Sequence, residues 1–280
     1  MSAPAQPATG VDWKTGGFDV VDNRFFSRGP LCAVLIRNNR GSATDISPYK
    51  VGTTGGPPPP AVLNWSPLAV DGTLRNDLFG YVRVDGQWQV NATTNEGWWL
   101  IGAVEERQGP DRKANIRHDD AMILQSNFPF DTDIIQEGIT IAFTGVEVFK
   151  PLLMRLRMNL PLSDSTGTSI VEDVGDPGFV LSKPVDAESI DRQLLLVFAK
   201  KRTGKTFYTV EGYPLCKLTD IGNVKRSKTD PDAPALTWTV LPDPYHVDID
   251  PSNPTGTDLV QTLYSFWIGG DAWAALKAGP

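Results

Sequence analysis

The chain is expected to be mainly β, with two antiparallel sheets packed as a β-sandwich, a flanking α-helix and long loops. Three observations predict this. Ile139, Ile141 and Phe143 alternate with small or polar residues, the two-residue period of a half-buried strand, and Val146 and Val148 follow after a shift at Gly145. The 26 glycines and 23 prolines are high for a helical chain and suit many strands joined by turns. Helical spacing is short and local: Leu152, Leu156 and Leu160 stack on one face, Pro151 fits a first helical turn, and Pro161 stops the run.

Residues 1–17 are rich in Pro, Ala and Gly and read as a flexible arm. A first strand is expected at 31–37, followed by an extended polar loop at 38–61 in which Pro57 to Pro60 favour a stiff polyproline II path. A loop of that length in a compact domain is functional or disordered. Runs at 79–84 and 87–90 flank Asp85-Gly86, a hairpin signal, and 98–101 reads as a short strand. Residues 105–120 are densely charged and turn-rich, with His118-Asp119-Asp120 as a solvated turn. Beyond the strand and helix of 125–160, residues 161–184 form another polar loop. Strands at 194–199 and 206–210 face each other across residues 200–205. A strand at 235–241 lies between Asp-Pro clusters, and Gly269-Gly270 precedes a short helix at 272–276 with Asp271 as its N-cap. Residues 259–268 fit strand and helix equally, and no internal repeat is visible.

The 280 residues, 40% hydrophobic and 21% charged, suit one domain spanning 1–280 with a sizeable core. A net charge of −7 argues against attraction to a nucleic-acid backbone. The basic runs Lys200-Lys201-Arg202 and Lys225-Arg226-Ser227-Lys228 lack interleaved aromatics and read as solvated turns. Cys32 and Cys216 make neither a disulfide framework nor a metal spacing, and are expected as two separate reduced thiols. The first residues lack the basic and apolar regions of a secretory signal, and the apolar runs are too short to span a bilayer, so cytosolic folding without membrane insertion is expected.

Chemistry-bearing motifs fail on inspection. Arg202-Thr203-Gly204-Lys205-Thr206 resembles the end of a phosphate-binding loop, but position 199 is Ala where Gly is needed, and a strand-to-strand turn is the better context. Asp248-Ile249-Asp250-Pro251-Ser252 opens like a calcium loop, yet Asn253 and Leu259 replace the required Gly and Glu. His118 and His246 have no nucleophile elbow beside them. The acidic pairs Asp131/Asp133 and Glu105/Glu106 cannot be set across a cleft from sequence. Asn64-Trp65-Ser66 and Asn91-Ala92-Thr93 mean little as glycosylation sites without a secretory signal. The eight tryptophans suit core or subunit packing better than a sugar platform. No catalytic, cofactor-binding or metal residue is assigned, and the chain is read as a non-enzyme without a cofactor.

Several segments, in order, resemble the major tail proteins of long-tailed phages, particularly those of actinobacterial hosts. They are Trp98 to Glu106 with the charged run to Asp120, residues 125–160, Val185 to Gln193 with the following hairpin, Val210 to Leu215, Lys217 to Asn223, and Ser227 to Ala233. The similarity covers roughly residues 97–245, the C-terminus loosely, while 1–96 match poorly. It implies a tail-tube fold: sheets joined between six subunits around a lumen, with rings stacking into a tube that delivers DNA. It also implies a location in the virion tail after assembly in the host cytoplasm. The implied partners are further copies of the chain, a tape measure protein within the tube, and tail terminator or distal tail proteins at its ends. DNA would pass without specific binding, an acidic lumen repelling its phosphates. A distal tail or injection-tube protein of the same fold, or a carbohydrate-binding β-sandwich, is the alternative expectation.

Overall fold

The framework is a long antiparallel ladder between β9 (Arg192–Arg202) and β10 (Lys205–Ile221). Thr203 and Gly204 close it with positive φ of 48° and 78°, a left-handed turn whose twist suits a hairpin. The expected hairpin is present, but its ladder runs through Lys200 and Lys201 to Arg202, so two residues make the turn instead of the expected 200–205. The computed structural model describes residues 29–53, 60–84, 87–91, 93–106, 109–122, 128–172, 180–186, 188–224, 228, 232–253 and 257–277. The arm at 1–17, Asp85-Gly86 and the basic run at 225–227 lie outside them.

Strand β1 (Leu31–Asn38) pairs with β9 and carries the short β6 (Trp99–Leu100) on its outer side. On the other flank β10 changes partner along its length. Its first half pairs with β14 (Ser265–Gly269) and its second half with β11 (Leu236–Val240). Beyond β11 come β8 (Asp131–Phe143) and β7 (Asp111–Ala121). The result is an open eight-stranded antiparallel sheet, β6-β1-β9-β10-β11-β8-β7 with β14 on β10. Three two-stranded pairs complete the strands: β2 (Tyr49–Val51) with β3 (Ala61–Leu63), β4 (Tyr81–Val84) with β5 (Gln87–Val90), and β12 (Val247–Ile249) with β13 (Leu259–Gln261). The helices are α1 (Pro151–Arg157) and α2 (Asp271–Lys277). The fold is therefore mainly β, with several antiparallel sheets and two short helices. Among the described residues no second sheet approaches the main one in size.

Alternation along the strands splits the core in two. Val34 and Ile36 of β1 join Leu194 and Leu196 of β9 in one cluster, completed by Leu152, Leu153 and Leu156 of α1 and by Trp238. Leu35, Leu195 and Val197 point the other way, into a cluster with Ile46, Trp65, Leu78 and Trp98. Strands covered on both faces read as continuous apolar runs, which explains the Leu-Leu-Leu-Val sequence of 194–197. Across β11 the cover is one-sided: Leu236, Trp238 and Val240 are buried, while Thr237 and Thr239 are half-buried on the opposite face. Gly212 lies beneath the Trp267 ring, where an added methyl would sit 2.6 Å from Cζ3. Gly212→Ala is expected to cost about 1–2 kcal/mol, read as a lower urea midpoint; an unchanged midpoint would show that the ring yields freely.

Several elements differ from expectation for identifiable reasons. Residues 38–61 are not one extended loop: Gly41–Thr44 form a 3-10 turn and β2 pairs with β3. Local side-chain bonds order this stretch, with Gly41 N donating to Asn39 Oδ1 (2.6 Å) and Arg40 N to Thr44 Oγ1 (2.8 Å). Pro57, Pro58 and Pro59 lie outside the described residues. Residues 111–120 of the stretch expected to be turn-rich fall in β7, because the ladder to β8 rather than an apolar period defines it. Strand β8 stops at Phe143; Val146 and Val148 are not in a strand, and Gly145 bridges Val104 where Leu153 approaches within 2.9 Å of its Cβ position. Pro151 opens α1 as expected, but Asn159 at φ 52° ends it, so Leu160 lies beyond the helix and Leu153 takes a buried place beside Leu152 and Leu156. Asp271 is not the cap of α2. The Gly270 carbonyl accepts from Trp273 N and Ala274 N, and Asp271 Oδ1 instead accepts from Thr206 N at 2.5 Å, tying α2 to β10. The open stretch 259–268 resolves into β13 and part of β14, and the unexpected β12 pairs with β13.

Candidate functional site

The feature with the least support from its own chain is the hairpin of β7 and β8. Every residue of β7 and the first seven of β8 are exposed, whereas the last residues of β8 alternate with buried Ile139, Ile141 and Phe143. The sequence explains the division. From Ile139 onward the period matches a one-sided core, while Asp131 to Gly138 has no such period.

The root is pinned. Arg112 lies over the Tyr264 ring, 5.3 Å from its centroid, and its guanidinium is 3.9 Å from Glu211 Oε2. Glu211 also accepts from Tyr213 Oη at 2.5 Å. Between Arg117 and His118 the register slips, so across the ladder β8 holds one residue more than β7, and Ile135 is the unpaired one. Such a bulge bends and twists the hairpin away from the sheet plane. Beyond it stand Asp119 and Asp133 directly across the ladder, with Asp120 and Asp131 beside them, all exposed. Like charges directly opposed weaken a strand pair, so this tip works against the hairpin's own stability. Thr132 relieves part of that repulsion by donating its hydroxyl to Asp120 Oδ1 (2.9 Å).

The hairpin is also apolar where it faces solvent. Ile116, Ile134 and Ile135 are each about half exposed, and Phe130 is 75% exposed. Among the described residues β7 has a ladder on one side only, leaving an eleven-residue edge. Charged side chains ordinarily guard such edges, and Lys113 and Arg117 do so in part. Guards alone would not place isoleucines and a phenylalanine in water beside them. Next to the hairpin root, the open face of β10, β11 and β8 presents Lys217, Thr219, Thr237, Thr239 and Thr140, with Thr239 Oγ1 bonded to Thr219 Oγ1 at 3.1 Å.

The other residues weighed from sequence fall into structural roles. Trp65, Trp98 and Trp238 are buried, as packing predicts; Trp13 lies outside the described residues. Thr203-Gly204 is a strand-to-strand turn, not the strand-to-helix turn of a phosphate-binding loop. Asp250 spends its carboxylate on Ser252 N and Oγ, at 2.8 and 2.7 Å. His118 sits on β7 opposite Ile134, not in a loop turn. His246 is buried, with Nε2 2.9 Å from Ser265 Oγ. Among the described residues no group of three His, Cys, Asp or Glu is placed to hold a metal. Cys32 and Cys216 are free, and burial pushes the Cys32 thiol up to about 11 and Cys216 higher still.

Buried arginines organise the loops. Arg37 donates to Gln193, to the Thr44 carbonyl and to Glu96, whose other oxygen takes Arg75. Arg192 is fully buried, bonded to Asn38 Oδ1 and the Leu160 carbonyl; burial lowers it to about 9. A groove of about 600 Å³ runs beside Phe79, Tyr81, Trp99 and Phe149, with Glu147 and Lys150 among its polar lining residues. No sequence motif marked this groove, since its walls come from separate segments: the start of β4, β6, residues 146–152 leading into α1, and Val171 with Glu172. No family model matches the chain, and a search of curated proteins returns no match.

Proposed function

We propose that the chain is a structural protein of a long-tailed phage virion, one of six subunits in each stacked ring of a tail tube that conducts DNA. The observation that supports this reading is the exposed β7/β8 hairpin: an open edge, exposed isoleucines and a repelling acidic tip make poor sense in an isolated subunit. Burying such an edge against another copy satisfies its backbone groups and removes its apolar side chains from water. The ordered family-like phrases along 97–245 support it independently. In this reading the sheets of neighbouring subunits join into one barrel, completing the two-layered packing expected of the tail-tube fold. The threonine-lined open face of β10, β11 and β8 then turns toward the lumen, where hydroxyls predominate and Lys217 is paired with Asp191 at 3.2 Å, so little net positive charge meets the phosphates. The partners are other copies of the chain, a tape measure protein, the end-capping tail proteins and transiently DNA, in a virion assembled in the host cytoplasm.

Electron micrographs of purified protein, concentrated and under crowding, test this. Stacked six-fold rings or tubes are expected. Compact monomers alone, under every assembly condition at which the protein remains folded, would remove the reading. The aromatic groove, where the Tyr81 and Trp99 ring centroids lie 4.1 Å apart, gives a carbohydrate-binding module its footing. Glycan-dependent thermal stabilisation without any assembly would favour that module instead.

A further inference from the structure

One row of paired residues crosses the main sheet: Asn38 of β1, Arg192 of β9, Cys216 of β10, Val240 of β11, Ile139 of β8 and Ala114 of β7. It joins the two lateral margins of the sheet, where β6 lies outside β1 and β7 lies outside β8. Each step from β1 to β8 is antiparallel, so these two strands run in the same direction. Two residues before Asn38 stands Ile36, paired with Trp99 of β6. Two residues before Ile139 stands Glu137, paired with Ile116 of β7. Trp99 and Ile116 therefore occupy about the same height at opposite margins.

They also share a face. Residues paired across an antiparallel ladder point to one side, and alternate residues along a strand return to it. Ile139 packs in the cluster that holds α1, so its partner Ala114 points to the α1 side, and Ile116 does the same two residues on. The extra residue of the bulge lies on β8, so β7 keeps its alternation through His118, whose partner Ile134 joins that side. At the other margin Trp99 packs against the same cluster. The groove it lines with Tyr81, Leu100, Phe149 and Pro151 borders the start of α1.

The two margins are chemically complementary. Ile116 and Ile134 are exposed apolar side chains, and the groove offers about 600 Å³ of mainly apolar and aromatic wall with Phe149 85% exposed beside it. Exposed Lys113 and Arg117 flank Ile116 along β7, and exposed Glu147 stands in the groove lining.

Resting on the tail-tube reading, we infer that the groove beside β6 receives Ile116 and Ile134 of the β7/β8 hairpin from a second copy of the chain. Removal of both apolar surfaces from water drives the contact, and the opposite charges at its border orient it. Copies set side by side in one orientation bring the β7 margin of each to the β6 margin of the next. The contact joins two different patches, so it is heterologous and repeats around a ring.

Substitutions in the full chain test the pairing. Ile116→Asp with Ile134→Asp makes a hairpin variant, and Phe149→Asp makes a groove variant. All three side chains are exposed, so native circular dichroism and melting should be retained. Each variant should lose at least about tenfold in assembled fraction relative to the wild type. Cross-linking reads which patches meet. A chain carrying both Ile116→Cys and Phe149→Cys, assembled and treated with a bismaleimide, should give a ladder of covalent products reaching the ring size. Neither single-cysteine chain should give that ladder above the background from Cys32 and Cys216. Wild-type-like assembly by either aspartate variant, or an assembled double-cysteine chain without the ladder, would overturn this pairing and leave the tail-tube reading standing. A glycan that stabilises the wild type but not Phe149→Asp would assign the groove to carbohydrate and overturn the pairing too. Wild-type protein that assembles under no condition would instead defeat the tail-tube reading itself.

Discussion

A chain in which Asn115 is joined to Gly138 through a two-residue Asn-Gly turn is expected to fold normally and to form no rings. These two residues are partners across the β7/β8 ladder, so a type I′ turn can close the shortened hairpin without changing register. The excised residues are exposed throughout β7 and β8, so little apolar surface buried by the monomer is lost. The root contacts stay, since Arg112, Ile139 and Ile141 lie below the cut. Stability should therefore change by no more than about 1 kcal/mol, with the midpoint of a urea melt nearly in place. Assembly should fall to background, because the deletion removes the outer edge, Ile116, Ile134, Ile135 and the acidic end together. Sedimentation beside the intact chain reads the result. Full assembly by the shortened chain would place the subunit contact elsewhere, and collapse of its melting transition would show the hairpin to be part of the fold.

How far the sequence revealed this surface depends on where apolar periodicity exists. Strands β1, β9 and β11 were legible because each buries at least one face, and burial writes its period into the residues: Leu236, Trp238 and Val240 alternate with threonines. The lower hairpin buries nothing within its own chain. Its residues therefore carry no inward period, and the charged run from Asp111 to Asp120 imitates a loop. An element that buries no face within its own chain is hidden from periodicity for that reason. Strands β2, β3 and β12 escaped notice differently, being three residues each and too short for any period, while β13 falls in the stretch 259–268 that fits strand and helix equally. The groove beside Tyr81 and Trp99 was hidden because tertiary folding alone brings its walls together. The helix end at Asn159 was misjudged through weight given to Pro161, when a left-handed residue two positions earlier had already turned the chain.

The buried imidazole of His246 is expected to make the folded protein lose stability as pH falls from about 6.5 to about 4. Burial lowers its pKa from an ordinary 6.5 to about 4, partly offset by the fields of Asp45 and Asp243. Between those two values the unfolded chain binds a proton that the folded chain refuses. Stability therefore rises with pH across that window and is lost on acidification, by as much as about 3 kcal/mol. The cause is geometric: His246 is 1% exposed and holds Ser265 Oγ through Nε2, while the loop behind it is anchored by Ser47 Oγ donating to the Tyr245 carbonyl. Asp248 on β12 acts in the opposite sense, since burial raises its carboxyl, so its removal should steepen the acid loss. The carboxylates of Asp77 and Glu172, held below their ordinary values of 3.8 and 4.5 by Arg75 and Arg155, begin to lose their contribution as pH falls below those values. Urea melts at intervals from pH 7 to 4 would show the slope, and His246→Asn should flatten it while lowering stability at pH 7. Nuclear magnetic resonance gives a direct check, because the chain has two histidines and His118→Asn identifies the remaining signal. A His246 ring titrating near 6.5 in the folded protein, or an unchanged acid slope in the His246→Asn variant, would show that the imidazole reaches water and carries no such linkage.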